Sequence, residues 1–92
     1  MGASEYYQLI SNIITEEVEK RRPSIPIYGE ILLSFSIEST GNLITQPQVF
    51  RGKNKDLADI GKNSIINAAP FPPFPDNIKK EKEVFKIAIS YE

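Results

Sequence analysis

The stretch "AAPFPPFPDN", residues 68–77, carries four of the chain's seven prolines and two of its five phenylalanines. No ordinary helix or strand has that composition, because proline fixes φ and lacks a backbone donor. The stretch reads in one of three ways: a ligand displayed to another protein, a linker, or a built connector. In a polyproline II conformation, with three residues per turn, Phe71 and Phe74 point the same way. Two aligned phenylalanines beside a small core favour the third reading, with Pro70, Phe71, Pro72, Pro73, Phe74 and Pro75 as a structural motif closing helix and sheet layers. An exposed proline ligand requires both rings to be in solvent.

Upstream of this stretch, "DLADIGKNSIINAA" keeps helical spacing through Leu57, Ile60, Gly61, Ile65 and Ala68. Asn54 is the expected N-cap, and Pro70 ends the helix. Gly61 on the apolar stripe marks a close contact with a neighbouring element. Downstream, "DNIKKEKE" reads as a solvated loop. In "EVFKIAISYE", Phe85, Ile87, Ile89 and Tyr91 then alternate with Lys86, Ala88 and Ser90, the pattern of a half-buried strand.

The N-terminal half adds a helix and a hairpin. "EYYQLISNIITEEVEKRR" places Tyr6, Leu9, Ile10, Ile13, Ile14 and Val18 on one helical face. Ser4 is the expected N-cap, and Pro23 stops the helix. "GEILLSFSIE" alternates with Ile31, Leu33, Phe35 and Ile37 on its apolar side. "STGN" turns the chain, Gly41 being free to adopt positive φ, and "LITQPQVF" returns as a second strand. Pro47 cannot donate to a ladder, so this strand belongs at a sheet edge.

The order is α-β-β-α-β. The expected fold is α+β and two-layered: a three-stranded antiparallel or mixed sheet, order 2-1-3, with both helices on one face over Leu33, Phe35, Ile87 and Ile89. Residues 1–4 read as a native start or an expression scar, and residues 5–92 as one domain. The last strand, without a proline, lies at an open edge, which proteins usually protect unless they use it.

Composition narrows the function. Forty per cent hydrophobic and 25% charged residues describe a globular chain. A formal net charge of −1 supplies no field for nucleic acid. With neither histidine nor cysteine, the commonest general bases, nucleophiles and transition-metal ligands are missing. Glu16, Glu17, Glu19, Asp56 and Asp59 fall on the polar faces of helices. An enzyme, a metal site and a bound cofactor are therefore not expected.

The chain resembles the C-terminal domain of TonB-family energy transducers, with the TolA C-terminal domains as relatives. The resemblance rests on "GEILLSFSIESTGNL" with its turn glycine, on "DLADIGKNSIINAAPFPPFP" and on "FKIAISYE". It implies a periplasmic domain of an inner-membrane anchored protein that works with inner-membrane motor proteins through a preceding region. Such a domain binds the N-terminal box of outer-membrane transporters by strand addition and couples the proton-motive force to uptake. Carried onto this sequence, the contact strand is Phe85, Lys86, Ile87, Ala88, Ile89 and Ser90, with proline at Ile87 disrupting binding if that N–H faces the partner. A homodimer through the same edge is a further expectation. The alternative is a TolA-like envelope-integrity domain binding a soluble periplasmic partner, and the sequence leaves the two open.

Overall fold

The computed structural model describes residues 2–91. Its elements are α1 (Ala3–Lys20), β1 (Ile31–Glu38), β2 (Gln48–Arg51), α2 (Lys55–Ala68) and β3 (Lys82–Ile89). The sheet order is β2-β1-β3, antiparallel at both junctions. The fold is thus α+β in the expected order, with the central strand formed by the first one in the chain.

Apolar spacing explains what each element buries. On α1, Tyr6, Ile10, Ile14 and Val18 are buried; on α2, Leu57, Gly61, Ser64 and Ile65. β1 buries every second residue, Ile31, Leu33, Phe35 and Ile37, beneath the helices. Across the β1–β3 ladder these pair with Ile89, Ile87, Phe85 and Glu83, so Phe85 and Ile89 complete the apolar layer. Gly61 lets α2 come close: a Cβ there would lie 2.5 Å from the Leu33 Cδ1 and 3.4 Å from Ile89 Cγ1.

Several element ends differ from the sequence reading: β3 begins at Lys82, inside the expected loop, and ends at Ile89, and α1 differs at both ends. The α1 N-cap is Gly2, whose N–H donates to Glu5 Oε1 at 3.3 Å. Ala3 and Ser4 therefore form the first helical turn instead of preceding it, and Met1 lies outside the described residues. The helix closes earlier than expected, at Lys20, where Arg21 and Arg22 bind back to Glu17 and Glu19 at 2.6 and 2.7 Å. Asn54, by contrast, caps α2 as expected, its side chain accepting the Leu57 N–H at 3.0 Å.

The second strand is also shorter than its apolar pattern. Leu43 makes a single bridge to Ile37, and the regular ladder resumes only at Gln48, opposite Ser34. Residues 44–47 thus face only residues 35–36 of β1. Pro47, which has no N–H to give, is buried in this interruption rather than within the strand. β2 is nevertheless an edge strand, and a further irregularity at Leu32/Leu33 bulges it beside Phe50.

The proline segment is bonded into the sheet. Phe71 N–H donates to the Gly41 carbonyl at 2.8 Å, and Phe74 N–H donates to the Ser39 carbonyl at 2.9 Å. Tyr6, fully buried, donates its hydroxyl to the Pro72 carbonyl at 2.7 Å. The Phe71 ring, 3% exposed, stacks on Phe35 with centroids 6.1 Å apart. Phe74 meets Tyr6 edge-on at 5.4 Å. Both rings belong to the core cluster or pack directly on it, and the Ala69–Pro70 peptide bond is cis.

Gly41 is the tightest point of this contact. Its φ is +98°, and a Cβ would overlap the carbonyl oxygen of Phe71. Gly41→Ala is expected to destabilise the fold by about 3 kcal/mol or more, combining positive-φ strain with backbone overlap. Gly61→Ala should cost less, because its obstacle is the tip of a leucine side chain. Phe71→Ala is expected to cost roughly 3–5 kcal/mol. Urea midpoints at constant m-value would check all three.

Candidate functional site

The outer edge of β3 and the groove beside it form the candidate site. Which backbone groups face outward follows from hydrogen-bond alternation. Ser39 N–H donates to the Glu81 carbonyl at 2.8 Å, one position beyond the Glu38/Lys82 pair. Hydrogen-bonded pairs recur at every second residue of an antiparallel ladder. Glu83, Phe85, Ile87 and Ile89 therefore turn their N–H and C=O groups toward β1. The other side of β1 agrees: Ser36 accepts from Ile44 N–H, and Glu38 donates to Asn42, so its even positions face β2.

Lys82, Val84, Lys86 and Ala88 consequently direct their backbone groups away from the sheet. Among the described residues no strand pairs with this edge. The expected contact strand thus divides by parity. Phe85, Ile87 and Ile89 give their backbone to β1 and their side chains to the helix-facing layer. Lys86 and Ala88 present backbone to a newcomer. Ser90 lies one residue past the end of β3. Proline at Ile87 would therefore remove a bond of the sheet itself, whereas the Ala88 N–H is not used by the β1 ladder.

A groove of about 620 Å³ borders this edge, lined by Tyr7, Ile10 and Ser11 of α1, by Phe35, and by Val84, Phe85, Lys86 and Ile87. Its lining is mainly apolar, and Tyr7 packs edge-on against Phe85 at 5.1 Å. A strand added to β3 would lay every second side chain against this wall. Tyr7 and Ser11 escape a reading based on the apolar stripe of α1, since they sit just off it. The aromatic pair "YY" at 6–7 is the only sequence signal, one ring for the core and one for the groove.

At one end of the groove Glu83 gathers three donors. Lys80 Nζ reaches its Oε2 at 2.8 Å, Tyr7 Oη reaches the same oxygen at 3.1 Å, and Val84 N–H reaches Oε1 at 3.2 Å. The Lys80 ammonium, first among several causes, holds the Glu83 carboxyl below its ordinary value. Lys80 is raised in return, and partial burial pushes Tyr7 upward, aided by Glu83. On the opposite sheet face the Lys86 ammonium lies over the Phe50 ring, 5.5 Å from its centroid.

Both ends of α1 are tied. Tyr6 holds its start to Pro72, and Tyr91 Oη donates to the Val18 carbonyl at 2.6 Å near its end. The Arg22 guanidinium covers the Tyr91 ring at 4.7 Å. Among the described residues, no cluster of three or more potential metal ligands exists, and no helix is long and apolar enough to cross a membrane.

This arrangement is a two-layer α+β domain with a proline connector and, among the described residues, an unpaired edge on β3. The chain has a TonB C-terminal domain-like fold. It matches the solution structure of the Helicobacter pylori TonB C-terminal domain with a TM-score of 0.74 and 27% identity, over 98% of this chain and 82% of that one. No protein-family model matches the sequence, and a comparison with curated proteins returns no match.

Because Glu83 is depressed in the folded state, its contribution is present above the usual glutamate range and is lost as pH falls through the folded value. Stability should therefore decline on acidification below about pH 4.5, Glu83 contributing alongside Glu17, Glu19 and Glu38, which are likewise lowered. Thermal unfolding of Glu83→Gln across this range should show a shallower decline than the parent.

Proposed function

We propose that this chain is the periplasmic, partner-binding domain of a TonB-like energy transducer. It takes the N-terminal box of an outer-membrane transporter as an added strand on β3 and couples the proton-motive force to uptake. The observation that carries this reading is the outer edge of β3. It is eight residues long and free of proline, and it lies beside an apolar groove in a fold matched to a TonB C-terminal domain. Strand addition draws affinity from main-chain hydrogen bonds and selectivity from pockets for alternate side chains. Lys86 and Ala88 supply the first, and the wall of Tyr7, Ile10 and Phe85 supplies the second.

TonB C-terminal domains are non-enzymatic interaction modules, in keeping with a site made of backbone edge and apolar wall. The inner-membrane anchor and its contact with motor proteins belong to the same proposal, as functions of sequence preceding this domain. The edge also suits a second copy of β3, so homodimerisation through it competes with the transporter strand.

The test is a titration of ¹⁵N-labelled protein with synthetic peptides copying the N-terminal segments of outer-membrane transporters from the same genome. Amide shifts should concentrate on Val84–Tyr91 and on Tyr7 and Ser11. Shifts confined to residues 70–75, or none with any such peptide, would reject the proposal. Ala88→Pro should abolish binding while leaving a cooperative fold, since its N–H is not used by the sheet. Ile87→Pro should unfold the protein by removing a central ladder bond.

A further inference from the structure

The β3 edge is not uniformly available. Of the residues whose backbone faces outward, Val84 has its N–H occupied by the carboxylate of the preceding residue, Glu83 Oε1, at 3.2 Å. That carboxylate is held in place from two other elements. Tyr7 donates from α1 at 3.1 Å, and Lys80 donates from the loop before β3 at 2.8 Å. The Glu83 side chain is only 17% exposed and Lys80 62%, so the acceptor is pinned between helix and loop while its cation remains in solvent. Among the described residues, no side chain accepts the N–H of Lys86 or Ala88.

We propose that Glu83 sets the limit of strand addition by occupying the Val84 N–H, so that a partner strand pairs with Lys86 and Ala88 and stops there. The inference rests on the strand-addition reading above and specifies it. An antiparallel newcomer exchanges two hydrogen bonds with each outward residue it faces. To extend one step further it must place a carbonyl oxygen where the Glu83 carboxylate already lies. That oxygen would meet like partial charge and would have to displace an anion with three donors. A straight edge with every outward donor free would let pairing run its whole length. A single occupied donor sets where that pairing ends.

The stop also shapes selectivity. With the ladder ending at Lys86, only a short stretch of the partner lies beside the groove wall of Tyr7, Ile10, Ser11, Phe85 and Ile87. Tyr7 belongs to both devices: its ring packs on Phe85 and lines the groove, and its hydroxyl orients Glu83. The partner chemistry that fits is a short extended segment with alternating apolar residues and no acidic side chain at the end nearest Glu83.

The test measures amide hydrogen exchange residue by residue, with and without saturating transporter N-terminal peptide, in the parent, Glu83→Ala and Glu83→Gln. In the parent, peptide should protect Lys86 and Ala88 and leave Val84 unchanged. In Glu83→Ala, peptide should protect Val84 by at least about tenfold as well and bind roughly 2- to 10-fold tighter, the gain of one further main-chain bond. Glu83→Gln has one oxygen where the parent uses two; with that oxygen on Lys80 and Tyr7 its NH2 faces the Val84 N–H, so peptide should protect Val84 there as in Glu83→Ala. Glu83→Leu, of similar volume and without an acceptor, replaces the alanine variant if that one loses cooperative unfolding. Peptide-dependent protection of Val84 in the parent, or its absence in the alanine and leucine variants while Lys86 and Ala88 are protected, would overturn the limiting role of Glu83 alone. No protection anywhere on β3 would overturn strand addition and that role together.

Discussion

Two backbone hydrogen bonds, from Phe71 N–H to Gly41 and from Phe74 N–H to Ser39, hold the proline segment against the β1–β2 turn. Each is worth only about 0.5–1.5 kcal/mol net. Their position matters more than their sum. Between them the chain cannot swing away, and the Phe71 ring is delivered onto Phe35 while the Pro72 carbonyl reaches Tyr6. Burial of a ring such as Phe71 contributes roughly 1.5–3 kcal/mol. The turn, the second helix's exit and the first helix's start thus meet at one place. From there the chain enters β3 already positioned across the sheet, with Ser39 N–H receiving it at Glu81.

The two edges of the sheet are unlike for physical reasons. On the β2 side, Pro47 interrupts pairing, the regular ladder covers four residues, and a bulge at Phe50 twists what remains. These are the ordinary means by which an edge is closed to other strands. On the β3 side the strand is twice as long, pairs with β1 without irregularity along its length, and contains no proline. What protection it has comes from Lys82 and Lys86 on the open face and from Glu83 at one end. Asymmetry of this kind directs any added strand to one side of the molecule.

Much of this was legible in the sequence, and the rest was hidden for identifiable reasons. Apolar alternation in "ILLSFSIE" and the i, i+4 stripe of α1 specify buried faces directly, because period alone decides them. Pro47 pointed to an edge, since a missing donor excludes a central position. Ser4 misled as an N-cap because the helix begins two residues earlier, at Ala3, with Gly2 bonded to Glu5, a contact that propensity does not rank. Which N–H groups of β3 face outward could not be read from side-chain pattern: alternation fixes where side chains go, whereas backbone direction depends on pairing register. The proline at Ile87 therefore changes meaning once Ser39 is seen to bond Glu81. Glu83 was invisible for a similar reason. It looks like one charge in a mixed loop until Tyr7, 76 positions away, closes on it.

The packing of α1 on the sheet is reinforced by tyrosines at both of its ends. Tyr6 and Tyr91 each spend a hydroxyl on a backbone carbonyl, Pro72 and Val18, and so pin α1 near both ends. Both hydroxyls are partly buried, where an unpaired polar group is costly, so the bonds resist exchange with water. With α1 fixed at two points its Tyr7–Ser11 face cannot drift relative to β3, and the wall stands before any strand arrives. Under the proposed strand addition, entropy would then be lost mainly by the newcomer. The pinned α1 keeps Tyr7 edge-on against Phe85, 5.1 Å between centroids, so helix and sheet form one continuous wall.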